Sequence, residues 1–219
     1  KNIREESTGS NPAELTTTQD KIIFAADNGK KGNELWRSKG NRKSTSLIKD
    51  INPGGNSSNP AGLTDFNKKL YFAADDGRKG VELWRSNGSH LGTTRLADIN
   101  RGPSSSSPSD ITPLNNILLF GANDGRHGRE LWRLDPSSQK ASLVKDINSK
   151  TGSAPRHLSA FERNIYFSAE GDIYGRELWV SDGTRAGTRL AVDLNPGGFS
   201  SDPQDLEVFQ NFLYFTAET

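Results

Sequence analysis

Two kinds of carboxylate recur along this chain at a fixed step: Glu34, Glu82, Glu130 and Glu177, and Asp50, Asp98, Asp146 and Asp193. Brought together in space, such a pair could act as general acid and general base. A catalytic centre is ordinarily singular, whereas this pair returns in every unit. Each glutamate also stands two residues before a tryptophan and so shares its strand face. A carboxylate placed there is half buried and needs backbone N–H donors or an Arg or Lys partner. The recurrence favours a structural hydrogen-bonding role.

Three further sets of side chains could bind ligands. The turns Asp27-Asn28-Gly29, Asp75-Asp76-Gly77 and Asn123-Asp124-Gly125 carry hard oxygen donors, and Asp172 stands at the fourth equivalent. Calcium takes about six to eight oxygens, so Asp27, Asp75, Asp76, Asp124 and Asp172 would need backbone carbonyls or a neighbouring loop to complete a shell. Asp-Gly and Asn-Gly are equally ordinary turn formers. The same turns continue into Lys30, Lys31, Arg78, Lys79, Arg126 and His127, with Arg176 nearby in the fourth. Such a rim of cations could hold a sulfated or carboxylated polysaccharide by charge and multivalency, or simply be solvated loop tips. Trp36, Trp84, Trp132 and Trp179 could stack on sugars. Each follows a leucine and repeats in every unit, which fits burial between neighbouring sheets better. His90, His127 and His157 fall at non-equivalent positions, which argues against a metal triad. Nucleophile-elbow, P-loop and dinucleotide-binding signatures are absent.

What must position these residues is a repeat. The four tryptophans are 48, 48 and 47 residues apart, and Phe24, Phe72, Phe120, Phe167 and Phe215 keep the same step, as do the four aspartates. Three independent markers at one spacing define a copied structural unit. In the unit beginning near Gly62, strands are expected over 62–67, 70–74, 82–86 and 93–99. The second of them, Leu70-Tyr71-Phe72-Ala73-Ala74, is apolar on both faces, as a covered strand should be. The connections are short and rich in Gly, Asn and Asp, so neighbouring strands are antiparallel. One longer Gly/Pro/Ser/Asn connection of constant length, such as Asn100 to Ser109, reads as the crossover from an outer strand to the inner strand of the next sheet.

The expected fold is all-β: a β-propeller of about five four-stranded antiparallel blades with a repeat of 47–48 residues. The units span approximately 13–60, 61–108, 109–155 and 156–203. An incomplete last blade covers 204–219, with an N-terminal strand over Lys1 to Glu5 expected to help complete it. A β-solenoid is disfavoured by the tight hairpins. Hydrophobic residues make up 32% of the chain, with 22 Gly and 10 Pro, too little for one thick core but enough for several thin ones. A net charge of +1 gives no global field toward nucleic acid or anionic lipid. The absence of cysteine excludes disulfides and thiolate sites. No apolar run approaches the roughly 20 residues of a membrane-spanning helix. With no methionine, Lys1 is not expected to be a translational start, and the chain is processed or part of something longer.

Glu177-Leu178-Trp179-Val180-Ser181-Asp182-Gly183-Thr184, followed by Gly187-Thr188 and by Asp193-Leu194-Asn195-Pro196-Gly197, resembles the bacterial ELWxxDGT repeat family. The match extends over nearly the whole chain and is best in the fourth unit. Elsewhere Ser86-Asn87-Gly88-Ser89 replaces Ser-Asp-Gly-Thr, Leu134-Asp135-Pro136 loses the glycine, and Arg37, Arg85 and Arg133 stand in place of Val180. The resemblance implies a large exported or cell-surface bacterial protein and supplies no catalytic residue. The period and blade count are also similar to those of five-bladed tachylectin-type sugar-binding propellers, in architecture alone. Together these lead to the expectation of a non-enzymatic scaffold whose partner is another protein or a surface polysaccharide. A glycan-binding propeller and a calcium-stabilised adhesion module are the alternatives.

Overall fold

Alternation of buried and open positions, broken every few residues by Gly, Asn and Asp, folds the chain into short antiparallel meanders. The computed structural model describes residues 2–4 and 9–219. The first blade holds β1 (Ala13–Thr18), β2 (Lys21–Asp27), β3 (Asn33–Ser38) and β4 (Ser46–Lys49). The second holds β5 (Ala61–Phe66), β6 (Lys69–Asp75), β7 (Val81–Ser86) and β8 (Thr94–Arg95). The third holds β9 (Ser109–Leu114), β10 (Ile117–Asn123), β11 (Arg129–Asp135) and β12 (Lys140–Lys145), and the fourth β13 (Arg156–Phe161), β14 (Asn164–Gly171), β15 (Gly175–Ser181) and β16 (Arg189–Val192). A hairpin of β17 (Gln204–Phe209) and β18 (Phe212–Thr216) begins a fifth. Within each sheet the strands lie in chain order, and no helix occurs among the described residues. This is the β-propeller fold, with about five blades and the last one holding two strands.

The chain divides into two compact units, residues 1–108 and 109–219. Inside the first, β1 and β5 lie side by side, and the Thr16 hydroxyl donates to the Leu63 carbonyl at 2.9 Å. Inside the second, β13 lies beside both β9 and β17, and the Thr112 hydroxyl donates to the Leu158 carbonyl at 3.3 Å. First strands are therefore the edges on which neighbouring blades converge. Each of them carries a bulge next to a residue with positive φ: Glu14, Gly62, Asp110, His157 and Asp205.

The apolar core sits between blades. Ile23, Leu35, Ile48 and Ile51 of the first repeat meet Leu70, Phe72, Ala74 and Trp84 of the second. Leu119, Leu131, Val144 and Ile147 of the third meet Ile165, Phe167, Ala169 and Trp179 of the fourth. The register brings Phe and Trp opposite each other in every complete blade: Phe24 with Trp36, Phe72 with Trp84, Phe120 with Trp132, and Phe167 with Trp179. The pairs Phe24 with Trp36, Phe72 with Trp84 and Phe167 with Trp179 each join an apolar cluster, which lets a chain poor in hydrophobic residues bury a core.

Two expectations need correction. The fourth strand of the second blade is shorter than 93–99, because after Leu96 donates to Leu83 the backbone leaves the ladder, and Ile99 and Asn100 turn their N–H groups to Glu82. At the N-terminus, Lys1 and Glu5 lie outside the described residues, and Asn2 to Arg4 are irregular rather than a strand. Ile3 packs on Phe24, Ala26 and Trp36, as Ile51 packs on Phe72, Ala74 and Trp84. The segment is thus built as a crossover, not as an edge strand.

If the indoles carry the interblade layers, Trp84→Ala should lower stability by about 3–5 kcal/mol. Urea unfolding followed by far-UV dichroism would check this. A loss close to that of an exposed substitution would contradict the layered core.

Candidate functional site

The strand-three glutamates are the most elaborate polar feature of the molecule. Glu82 is fully buried, beside Trp84 on β7. One carboxylate oxygen accepts the backbone N–H groups of Asn100 (3.3 Å) and Ser106 (3.1 Å). The other accepts the N–H of Ile99 (2.9 Å) and the hydroxyl of Ser106 (2.7 Å). Both ends of the crossover loop are therefore tied to one side chain. Glu34 takes the same four donors from Ile51, Asn52 and Ser58, and Glu130 takes them from Ile147, Asn148 and Ser153. Glu177 is held by Leu194 and by the N–H and hydroxyl of Ser201. Burial pushes the Glu34, Glu82 and Glu130 carboxyls above the ordinary glutamate range, and the serine and backbone donors pull them part of the way back.

Sequence reasoning named the glutamates but missed Ser58, Ser106, Ser153 and Ser201, all fully buried. Their return at the repeat step, each before the residue that precedes a proline, was the available signal.

Two of the recurring aspartates pair with rim lysines. Asp98 pairs with Lys79 at 2.9 Å, which, with the Gly102 N–H, holds its carboxyl below the usual range. Asp50 forms an ion pair with Lys31. The glutamates thus bind the crossover loops, while Asp50 and Asp98 pair with rim lysines and, like Asp146 and Asp193, keep one buried carboxylate oxygen without a hydrogen-bond partner.

The turns between strands two and three press on the crossover loops. A Cβ on Gly80 (φ +65°) would lie 2.8 Å from the Ser104 carbonyl oxygen, so only glycine allows that approach. Within the turns the aspartates accept backbone N–H groups. Asp27 takes Gly29, Asp75 takes Gly77, and Asp76 takes both Arg78 and Lys79. Their free oxygens meet cations: Asp27 meets Arg4 at 2.6 Å, and Asp76 meets Arg95 at 2.7 Å. Burial works to raise the Asp124 carboxyl, but the N–H groups of His127 and Arg126 and the His127 ring hold it below its ordinary value. Asp172 accepts the Ser149 N–H at 3.0 Å. Oxygens aimed at N–H donors are poorly disposed to share a cation. Among the described residues no three of His, Cys, Asp and Glu gather into a metal-sized group.

Of the seven rim cations, Lys31, Lys79 and His127 are thus paired with Asp50, Asp98 and Asp124. Arg176 is turned inward, donating to the Ala154 carbonyl at 3.0 Å, and burial lowers its pKa. Lys30, Arg78 and Arg126 remain exposed. Two apolar side chains share the rim of the fourth repeat: Ile173 and Phe199, the latter 70% exposed.

At the opposite end, the Ser-Asp-Gly-Thr stretch closes on itself. Asp182 accepts the N–H and hydroxyl of Thr184 at 2.8 and 2.7 Å, and the Thr184 oxygen accepts Gly187 N–H. Ser181 and Thr188 join hydroxyls at 2.7 Å across the loop base. Neighbouring blades clasp these loops. Arg37 donates to the Gly88 carbonyl and Arg133 to that of Gly183. Lys49 and Lys145 donate to the Thr93 and Thr188 carbonyls, with each ammonium 5.9 Å from the centre of the Trp84 or Trp179 ring. Trp36, Trp84 and Trp179 are buried in the apolar clusters and Trp132 is half-buried. Beside the loops lie shallow basic depressions. One of about 180 Å³ is lined by Lys21, Arg37, Ser38, Lys39 and Ser44, and one of about 100 Å³ by Lys69, Arg85, Ser86, Asn87 and Gly92. Sequence reasoning missed them, although Lys21/Lys69 and Arg37/Arg85 are pairs at the repeat step.

These blades and joints define a β-propeller-type protein. The chain matches no protein-family profile and no curated protein. Among solved structures its fold is similar to puromycin hydrolase (TM-score 0.61, 17% identity, 90% of this chain and 31% of that one). It is also similar to oligopeptidase B from Leishmania major (TM-score 0.56, 14% identity, 94% and 29%) and to TolB from Acinetobacter baumannii (TM-score 0.50, 13% identity, 84% and 43%). The chain spans less than half the length of each, and at these identities the likeness is one of fold.

Glu82→Gln keeps the shape but turns an amide NH2 toward the Ile99 N–H, leaving one buried donor without an acceptor. A loss of about 1–3 kcal/mol is expected in urea unfolding at pH 7. The pH dependence has a definite sign. A carboxyl whose pKa is raised by folding stabilises fully below its unfolded value and loses that contribution as pH climbs through the raised one. The gap between wild type and variant should therefore be widest near the ordinary value of 4.5 and narrow as the pH rises to 7. Because the turn carboxylates already meet N–H donors and cations, adding a chelator should leave the melting temperature unchanged. A drop on chelation would reinstate calcium.

Proposed function

We propose that this chain is a non-enzymatic β-propeller module acting as an interaction scaffold, of the exported or cell-surface kind that its ELWxxDGT-like stretches imply. One observation supports this above others. The recurring glutamates and crossover serines are bonded to one another, Asp50 and Asp98 pair with rim lysines, and Trp36, Trp84 and Trp179 are buried in the apolar layers. The structures it resembles include hydrolases, but a shared fold does not transfer an activity. A scaffold needs side chains that are presented rather than reactive. The exposed Ile173 and Phe199, in touching loops of one rim, suit contact with an apolar patch on another protein.

A second reading has its own observation. Lys30, Arg78 and Arg126 are exposed at equivalent positions, and the depressions around Arg37 and Arg85 are basic and lined by Ser or Asn. Both would suit a sulfated or carboxylated polysaccharide bound weakly at several places.

Calorimetric titration with an acidic and a neutral polysaccharide decides between the two. The scaffold reading expects no heat from either at about millimolar sites. Saturable binding of the acidic polymer alone, lost with Lys30→Ala, Arg78→Ala and Arg126→Ala combined, would move the conclusion to glycan binding.

A further inference from the structure

The chain as a whole carries a net charge of only +1, yet one end of its first repeat is strongly basic. Strands β2 and β3 are antiparallel, so the turn before Lys21 and the loop after Ser38 lie at the same end of the blade. That end carries Lys21, Arg37, Lys39, Arg42 and Lys43, the last three exposed. The depression of about 180 Å³ opens there, walled by Lys21, Arg37, Lys39 and two serines, with no carboxylate in its lining. Lys69 and Arg85 wall the equivalent depression of the second repeat, so the hollow belongs to the repeat and not to one chance loop.

The architecture does not call for these charges. In the third repeat Ile117, Arg133 and Asp135 stand at the positions of Lys21, Arg37 and Lys39, and in the fourth Asn164, Val180 and Asp182 do. Arg133 still clasps the Gly183 carbonyl, with Ile117 against that glycine where Lys21 lies against Gly88. A clasp that closes over isoleucine needs no ammonium.

Asp20 shows what the cations can hold. Its side chain pairs with Lys39 and lies 3.7 Å from Lys21. The Lys39 hydrogen bond, with the charges of both lysines, keeps its carboxyl below the ordinary aspartate range. It is the one carboxylate at this end of the repeat, so most of the positive charge is left over. No aromatic side chain lines the depression, so neither a base nor a sugar ring finds a stacking face. The hollow is also small for a whole small molecule and suits a side chain. On the adjoining loop, clasped through Gly88, Leu91 is 89% exposed.

We propose that this end of the first repeat, with Leu91 on the next loop, is a docking surface for an acidic segment of a partner protein. Its carboxylates meet Lys21, Lys39, Arg42 and Lys43, as Asp20 already meets two of them, and an apolar residue covers Leu91. The assignment rests on the scaffold reading and gives it a partner of stated chemistry. Exposed charges supply the attraction, so the contact is weak, salt-sensitive and quick to form.

The test titrates a fluorescein-labelled peptide of consecutive glutamates ending in leucine, and its glutamine counterpart, into the intact chain by fluorescence anisotropy. Saturable binding of the acidic peptide alone is expected, at about 0.1 mM. Lys39→Glu with Arg42→Glu should weaken it at least about tenfold. Asp20→Asn, which frees both lysines, should tighten it about threefold. All three positions are exposed, so the melting temperatures should match the parent's. No binding up to about 1 mM, or binding indifferent to both variants, would overturn the surface. The scaffold reading would then stand, because it rests on the joints and on Ile173 and Phe199. Equal or tighter binding of dextran sulfate, weakened by the same double variant, would overturn both.

Discussion

A buried carboxylate facing three backbone N–H groups and one hydroxyl holds this fold in register. The crossover loop after each blade is long, polar and rich in glycine, and such a segment is costly to order. Glu34, Glu82 and Glu130 meet that cost by gathering donors from both ends of the loop onto two oxygens. The loop's own N–H groups would otherwise be buried without acceptors. Removing the charge from water is unfavourable, and the raised carboxyl pKa values record that burden. The arrangement is tolerable because every oxygen is filled by donors.

Around this anchor the two ends of each blade divide their tasks. At one end the carboxylate-fixed crossover packs on the Asp-Gly turns, which sets the rim where Lys30, Arg78 and Arg126 stand out. At the other, the self-closed loops over 86–93 and 181–188 present carbonyls that Arg37, Lys49, Arg133 and Lys145 reach from the preceding blade. Those four side chains cross the interblade layer and stiffen it over the buried indoles. The motif that dominates the sequence is accordingly a set of joints: Glu for the crossover, Trp for the layer, Ser, Asp and Thr for the loop.

Much of this was legible beforehand. The spacing of Trp and Phe marked the blades, and short Gly-rich turns marked the antiparallel order, because both follow from local geometry. Glu82 accepts donors from both ends of its crossover loop, and Trp84 lies in the layer between two blades. What could not be read was which donors meet which acceptors across a loop. Ser106 and Lys79 find Glu82 and Asp98 only after the chain has turned back, and no local pattern announces that. The N-terminal segment misled for a related reason. Counting strands by repeat leads to one over Lys1 to Glu5, but Asn2 to Arg4 are irregular and Ile3 packs on Phe24, Ala26 and Trp36.

The partners of each glutamate lie 17 to 24 residues downstream, inside its own repeat, and the clasps between blades span 43 to 51 residues, reaching only the next repeat. Each bond can therefore form as soon as one further copy has emerged during synthesis, so assembly proceeds sequentially with small loop-closure penalties. A duplication in the gene that adds a whole period would carry both halves of every such bond with it. The wiring of this fold thus favours growth by unit steps, while an insertion of any other size would split a carboxylate from its loop.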